Sequence, residues 1–189
     1  MKADVSKSKQ TKPKITMSST ASLRANARKK IEEGAVTAGY SANREQVLKM
    51  LNDSLATEIV CMLRYKRHYF MATGVHAESV ATEFLEHAAQ EQEHADAIAK
   101  RIVQLGGEPD FSPDTLTKRS HAEYVPGKSL VEMIKEDLVA ERIAIDSYKE
   151  IIEVIGNDDT TTRRMIEWIL AVEEEHADDL AGLLDAAGH

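Results

Sequence analysis

One cysteine, Cys61, is all the chain has in 189 residues, so no internal disulfide and no four-cysteine metal site can form. That scarcity suits a reducing compartment. No stretch approaches the roughly 18 to 20 apolar residues that a bilayer-spanning helix needs. The basic N-terminus is followed by no apolar signal core, so a cytoplasmic protein away from any membrane is expected. Aromatics are sparse at 5%, and three of the four prolines, Pro109, Pro113 and Pro126, crowd into one segment. Elsewhere nothing forbids long helices, and Ala, Leu, Ile, Glu and Lys are the residues that favour them.

The formal charge of -8 is unevenly spread. Residues 1–40 hold nine lysines and arginines against Asp4, Glu32 and Glu33, a net of +6 that leaves -14 for the rest. This first segment is rich in Lys, Ser, Thr and Ala and has little apolar periodicity, so it reads as a basic, disordered or only transiently helical arm. It could grip nucleic-acid phosphates in a salt-sensitive, sequence-independent way, or simply keep the chain soluble.

Beyond the arm, apolar residues recur at helical spacing. Val47, Leu51, Leu55, Ile59 and Met62 mark a first long helix, with Ser41 as its expected N-cap and an end near Gly74. Phe84, Ala88, Ala95, Ile98 and Ile102 mark a second, from about Glu78 to Leu105, stopped by Gly106-Gly107 and Pro109. The proline-bearing stretch 107–128 is then an extended connection with at most one short turn. A third helix is expected from about Ser129 to Ile155, and a fourth from Asp158 or Asp159 to about Ala187. Two tight helix pairs joined by one long link give an all-α fold, an antiparallel four-helix bundle with one crossover between its second and third helices.

Charged residues interrupt the apolar stripes in a repeated pattern. The second helix carries Glu91-Gln-Glu-His94 and the fourth carries Glu173-Glu-Glu-His176. Three residues turn a helix by about 300°, so each carboxylate and imidazole lie one turn apart on one face. The first and third helices each set a glutamate among apolar neighbours, Glu58 and Glu141, placed 33 and 32 residues before Glu91 and Glu173. Four carboxylates driven into one core are costly unless cations or shared protons hold them. Four Glu and two His suit a paired iron or manganese centre better than zinc or calcium, with iron preferred. Singly, each of these residues could equally sit on a solvated face. His68, His76, His87, His121 and His189 match no repeated spacing and read as structural.

These motifs resemble the ferritin-like superfamily, and within it bacterioferritin, over about residues 42–185. The resemblance implies a ferritin-like bundle over residues 41–189 in which Glu58 and His94 hold one iron, Glu141 and His176 the other, and Glu91 and Glu173 bridge. Tyr65, seven residues after Glu58, falls where the family keeps a tyrosine beside the pair, although Tyr69 and Phe70 show that this helix also uses aromatics for packing. Where bacterioferritins carry a haem-ligating methionine, this chain has Gln92, so haem is not expected. Only thirteen residues follow His176, too few for the family's fifth helix. Together with the basic arm, this is similar to the miniferritins, the DNA-binding proteins of starved cells, which favours a twelve-subunit shell over one of twenty-four. The expected activity is ferroxidase: Fe(II) oxidised by O2 or H2O2 at two iron ions per subunit, with manganese as second choice, for storage or detoxification. The competing readings are a discrete di-metal enzyme of the manganese catalase or oxygenase type, and a DNA-protecting miniferritin that uses the arm of residues 1–40.

Overall fold

The computed structural model describes residues 16–74 and 77–187. Four long helices form the bundle: α2 (Arg44–Met71), α3 (Ala77–Gln104), α5 (Leu130–Ile155) and α6 (Thr160–Ala186). A short α1 (Thr20–Asn26) and a 3-10 turn (Ile31–Glu33) precede them, and α4 (Leu116–Arg119) lies in the crossover. Helix α2 packs along α3 and α5 along α6, and the two pairs close through α2 on α5 and α3 on α6. This is the antiparallel four-helix bundle with one long crossover that the periodicity predicted. Among the described residues no helix is long and apolar enough to cross a membrane.

Local chemistry sets the helix ends. Asn43, Ser129 and Asp159 each accept a hydrogen bond from the backbone N–H three residues on, the capping arrangement that satisfies a free first-turn donor. The start of α2 corrects the expectation at Ser41: Asn43 is the cap, and the Ser41 hydroxyl instead reaches Asp158 Oδ1 at 3.1 Å. At the end of α3, Gly106 takes φ +75° and the chain closes with Gly107 N–H on Ile102 O and Gly106 N–H on Val103 O. That paired closure needs a residue able to adopt the left-handed region.

The arm is more structured than its composition implied. Ser19 caps α1, Val36 is buried in the main core with Tyr40 packed beside it, and the Tyr40 hydroxyl donates to Asp159 at 3.0 Å. Residues 36–40 are therefore tied to the bundle through single anchors, which leave no periodic signature. Lys2, Lys7, Lys9, Lys12, Lys14, His76 and His189 lie outside the described residues.

The crossover follows α2 along its length. Asn52 Oδ1 accepts from Asp110 N–H (2.8 Å), Thr57 Oγ1 from His121 N–H (3.0 Å), and Arg64 donates to Glu123 O (2.8 Å). Near the far end, His68 Nε2 meets Pro126 O at 3.0 Å. Arg64 and His68 both also bind the buried Asp137 of α5, at 2.7 Å each. Among the described residues two large apolar clusters make most of the core, with a small third of Cys61, Ala122 and Ala140. Of the large two, one holds Leu51, Leu55, Ile98, Ile102, Tyr148 and Ile166, and the other holds Phe84, Val80, Ile134 and Leu180. Each Leu or Ile so buried stabilises by about 1.5–3 kcal/mol.

Candidate metal centre

Between the two apolar clusters the core turns polar. Glu58 on α2, Glu91 and His94 on α3, Glu141 on α5, and Glu173 and His176 on α6 all lie there, none more than 1% exposed. The structure thus brings together all six residues singled out by spacing. His94 Nδ1 stands 3.2 Å from Glu58 Oε2 and 3.0 Å from Glu173 Oε1. His176 Nδ1 stands 3.3 Å from Glu173 Oε2 and 3.8 Å from both Glu91 Oε1 and Glu141 Oε2. The two imidazole rings are 6.3 Å apart.

Ligand atoms converge in two overlapping sets, each within 4.8 Å: Glu58, Glu91, His94 and Glu173, and then Glu91, Glu141, Glu173 and His176. Glu91 and Glu173 belong to both. Many of the inward atoms are short of partners. Glu91 Oε1, Glu141 Oε2, both Glu173 oxygens and His176 Nδ1 are buried with no hydrogen-bond partner, close contacts notwithstanding. Buried polar atoms left unsatisfied cost about 1–3 kcal/mol each, more when charged. A pair of hard to borderline cations would satisfy all of them at once, so the donor set fits the di-metal expectation.

The electrostatics of the ion-free cluster agree. Burial, and then the mutual repulsion of the carboxylates, pushes Glu58, Glu91 and Glu173 well above the usual carboxylate range. Burial also acts on Glu141, but His176, Glu173 and the Tyr65 hydroxyl outweigh it and hold this carboxyl down to about 2. Burial works against a charged His176, yet neighbouring Glu141 and Glu91 raise it. Cation binding at this cluster would therefore be coupled to proton release.

A shell of supporting contacts surrounds the six. The Tyr65 hydroxyl, fully buried, donates to Glu141 Oε1, and His87 Nδ1 lies 3.2 Å from its oxygen. Gln90 Oε1 meets His176 Nε2 at 2.7 Å, which makes Nε2 the N–H donor and turns the other ring nitrogen toward the carboxylates. Trp168 packs edge-on to His94, with centroids 5.1 Å apart. Gln92 is exposed and donates to Asp96 at 3.0 Å, away from the cluster.

Gln90, Trp168 and His87 were not singled out from sequence. Gln90 gave no signal, since its partner is 86 residues away. His87 was read as structural, as were His68 and His121. His68 pairs with Asp137, and His121 contacts Thr57. His87 instead stacks on His176 with ring centroids 3.9 Å apart. Burial, and then His176, pushes it down to about 4. Its position four residues before Glu91, on one face of α3, was the available clue.

Comparisons with known proteins point one way. The ferritin-like domain family matches residues 48–187. The bacterioferritin of Mycobacterium avium is 30% identical over 141 residues, covering 74% of this chain and 84% of that protein. The bacterioferritin-related protein of Bacteroides fragilis, described as a dodecameric thioferritin, superposes with a TM-score of 0.74 at 32% identity over 77% of this chain and 89% of its own. Dps from Thermosynechococcus elongatus superposes with a TM-score of 0.72 at 22% identity, covering 74% and 90%, a likeness of fold.

Proposed function

Because this chain belongs to the ferritin-like family and is of the bacterioferritin type, we propose that it oxidises ferrous iron at a paired site inside each subunit. The observation that carries this is the sharing of Glu91 and Glu173 between two four-residue ligand sets, many of whose inward atoms lack partners. Iron is the substrate, with manganese the second choice for the same ligands. Two ferrous ions held together each give up one electron, so O2 with two protons leaves as H2O2, or H2O2 with two protons leaves as two waters.

The protein's own part is positional. Glu91 and Glu173 fix the spacing of the pair, while Glu58 with His94 and Glu141 with His176 close its two ends. Tyr65 orients Glu141, and Gln90 fixes which His176 nitrogen faces inward. The flanking apolar clusters hold the four helices on both sides of the polar layer, so the ligands converge without an ion to gather them. Storage in a twelve-subunit shell is the assembly we favour, supported by the dodecameric relative and by the acid-rich body, which lowers the cost of concentrating cations.

The test is anaerobic loading of the full chain with ferrous iron, followed by O2 or H2O2. Saturation near two ions per subunit and oxidation faster than in protein-free buffer are expected, from a particle of about 250 kDa. A monomer or dimer that fails to oxidise iron overturns the reading. DNA protection is a second reading, favoured by one observation: Arg24, Arg28, Lys29 and Lys30 are all exposed on or just after α1, which buries no residue. Salt-sensitive gel retardation that disappears on deletion of residues 1–40 would establish it, and no retardation at low salt would dismiss it.

A further inference from the structure

Next to the six-residue cluster lies a second group of ligand type that the proposed reaction does not use. Glu83, His87 and Asp179 place three ligand atoms within 4.8 Å of one another. His87 is 2% exposed, while Glu83 and Asp179 are 32% and 48% exposed, so the group opens to solvent on its carboxylate side. Helix α3 supplies Glu83 and His87 one turn apart, and α6 supplies Asp179.

Hydrogen bonding fixes how His87 is presented. The Tyr65 hydroxyl spends its only proton on Glu141, so its oxygen can only accept from His87 Nδ1, 3.2 Å away. The other ring nitrogen, Nε2, is free of that contact. It faces Glu83 Oε1 at 3.3 Å and Asp179 Oδ2 at 3.7 Å. One imidazole nitrogen and two carboxylate oxygens from two helices thus converge on one point. A divalent cation fits that set, using one nitrogen and two oxygens and leaving room for water. Tyr65 would act toward His87 as an outer partner does toward a metal-bound imidazole, by fixing the tautomer.

We infer that Glu83, His87 and Asp179 form a third divalent-cation site in each subunit, on the solvent side of the paired centre. Its place also suggests its use. The His87 ring lies against His176 at 3.9 Å and 22°, so an ion held here is separated from the inner ligands by one imidazole. The site stages ferrous iron before it reaches the pair, and this use rests on the paired-site reading, whereas cation binding does not.

Crystals of the full chain soaked in cobalt(II) give the direct test, read by anomalous scattering at the cobalt edge. Three peaks per subunit are expected, two among the six inner residues and one bounded by His87 Nε2, Glu83 and Asp179. Filled inner positions with no third peak overturn the inference. A third peak with empty inner positions upholds it and sinks the paired-site reading instead. The Glu83→Gln, Asp179→Asn double variant changes two partly exposed side chains and should fold normally. It should lose the outer peak, keep both inner ones, and oxidise limiting ferrous iron about 10-fold more slowly or worse, since even loss of an outer-shell partner typically costs 10- to 100-fold in metal affinity or activity. An unchanged rate in a variant lacking the outer peak removes the staging role.

Discussion

Replacing Glu91 by glutamine separates two effects that the buried cluster combines. Glu91 belongs to both ligand sets, is 1% exposed, and keeps Oε1 without a partner. The amide has nearly the same shape, removes an ionisable group that burial penalises, and can donate to Glu58, which neighbours it in the cluster. Burial already favours the neutral carboxyl at Glu91, so the amide replaces it with a group of nearly the same volume that carries no charge at any pH. Metal-free Glu91→Gln should thus be at least as stable as the parent. With ions present the order reverses. One site at 100 times its Kd stabilises by about 2.7 kcal/mol, so two contribute about 5 kcal/mol. At about 2–4 °C per kcal/mol for a chain of this size, the parent gains about 10–20 °C. If the variant binds 10- to 100-fold more weakly at both positions, its gain falls below about 3 kcal/mol, or roughly half the shift. Thermal scans with and without cobalt(II), at one protein concentration and scan rate, measure both effects. An equal metal-induced shift in the two proteins would refute the sharing of Glu91, and a large drop in metal-free stability would refute the cost assigned to its burial.

The same cluster sets a pH dependence. Glu58, Glu91 and Glu173 have folded-state values above their unfolded ones, so the stability they contribute is fully present at low pH and is lost as pH rises through the raised values. In chelator, Tm should fall as pH climbs above the ordinary carboxylate range, and cobalt(II) should abolish or reverse that slope; a chelated protein that gains stability over the same range contradicts the assignment. At the crossover, Asp137→Asn leaves the buried Arg64 without its counter-charge and should cost about 3–5 kcal/mol, seen as a Tm drop of roughly 10 °C. The paired change Arg64→Met, Asp137→Leu should recover much of that loss in the same scan, and failure to do so would show that the pair contributes more than the relief of a buried charge.

What could be read from sequence was whatever one helix states by itself. Helical extents followed from apolar spacing and from stops such as Gly106-Gly107, and Ser129 and Asp159 are caps because their own side chains reach three residues ahead. The six cluster residues were legible because the chain repeats itself: two Glu-x-x-His pairs, each with a glutamate about 32 residues upstream, constrain one another. Ser41 and Asn43 offered the same capping chemistry, and only the hydroxyl's contact with Asp158 on a distant turn decided between them. Gln90 is chosen by His176 across the bundle, and His87 by Tyr65 and Asp179, so no local pattern announces either. The crossover likewise showed its length but not its attachments, because Asn52, Thr57 and Arg64 are unremarkable until the chain that they hold lies beside them.

Those silent contacts explain how the legible ones can work. Four glutamates on four helices would repel one another apart in a bundle with no other hold, and burial, followed by that repulsion, raises the proton affinity of Glu58, Glu91 and Glu173. The helices stay together because apolar clusters lie on both sides of the polar layer and because Asp137, Arg64 and His68 fasten α2, α5 and the crossover at one end. At the other end Asp159 accepts from Arg101 of α3 at 2.8 Å and from Tyr40, joining α3, α6 and the arm. With both ends fixed, the middle layer cannot relieve its repulsion by spreading, and only protons or cations remain to neutralise it. On the proposed reading, the affinity of this site for divalent ions would therefore be set by structure made elsewhere in the chain.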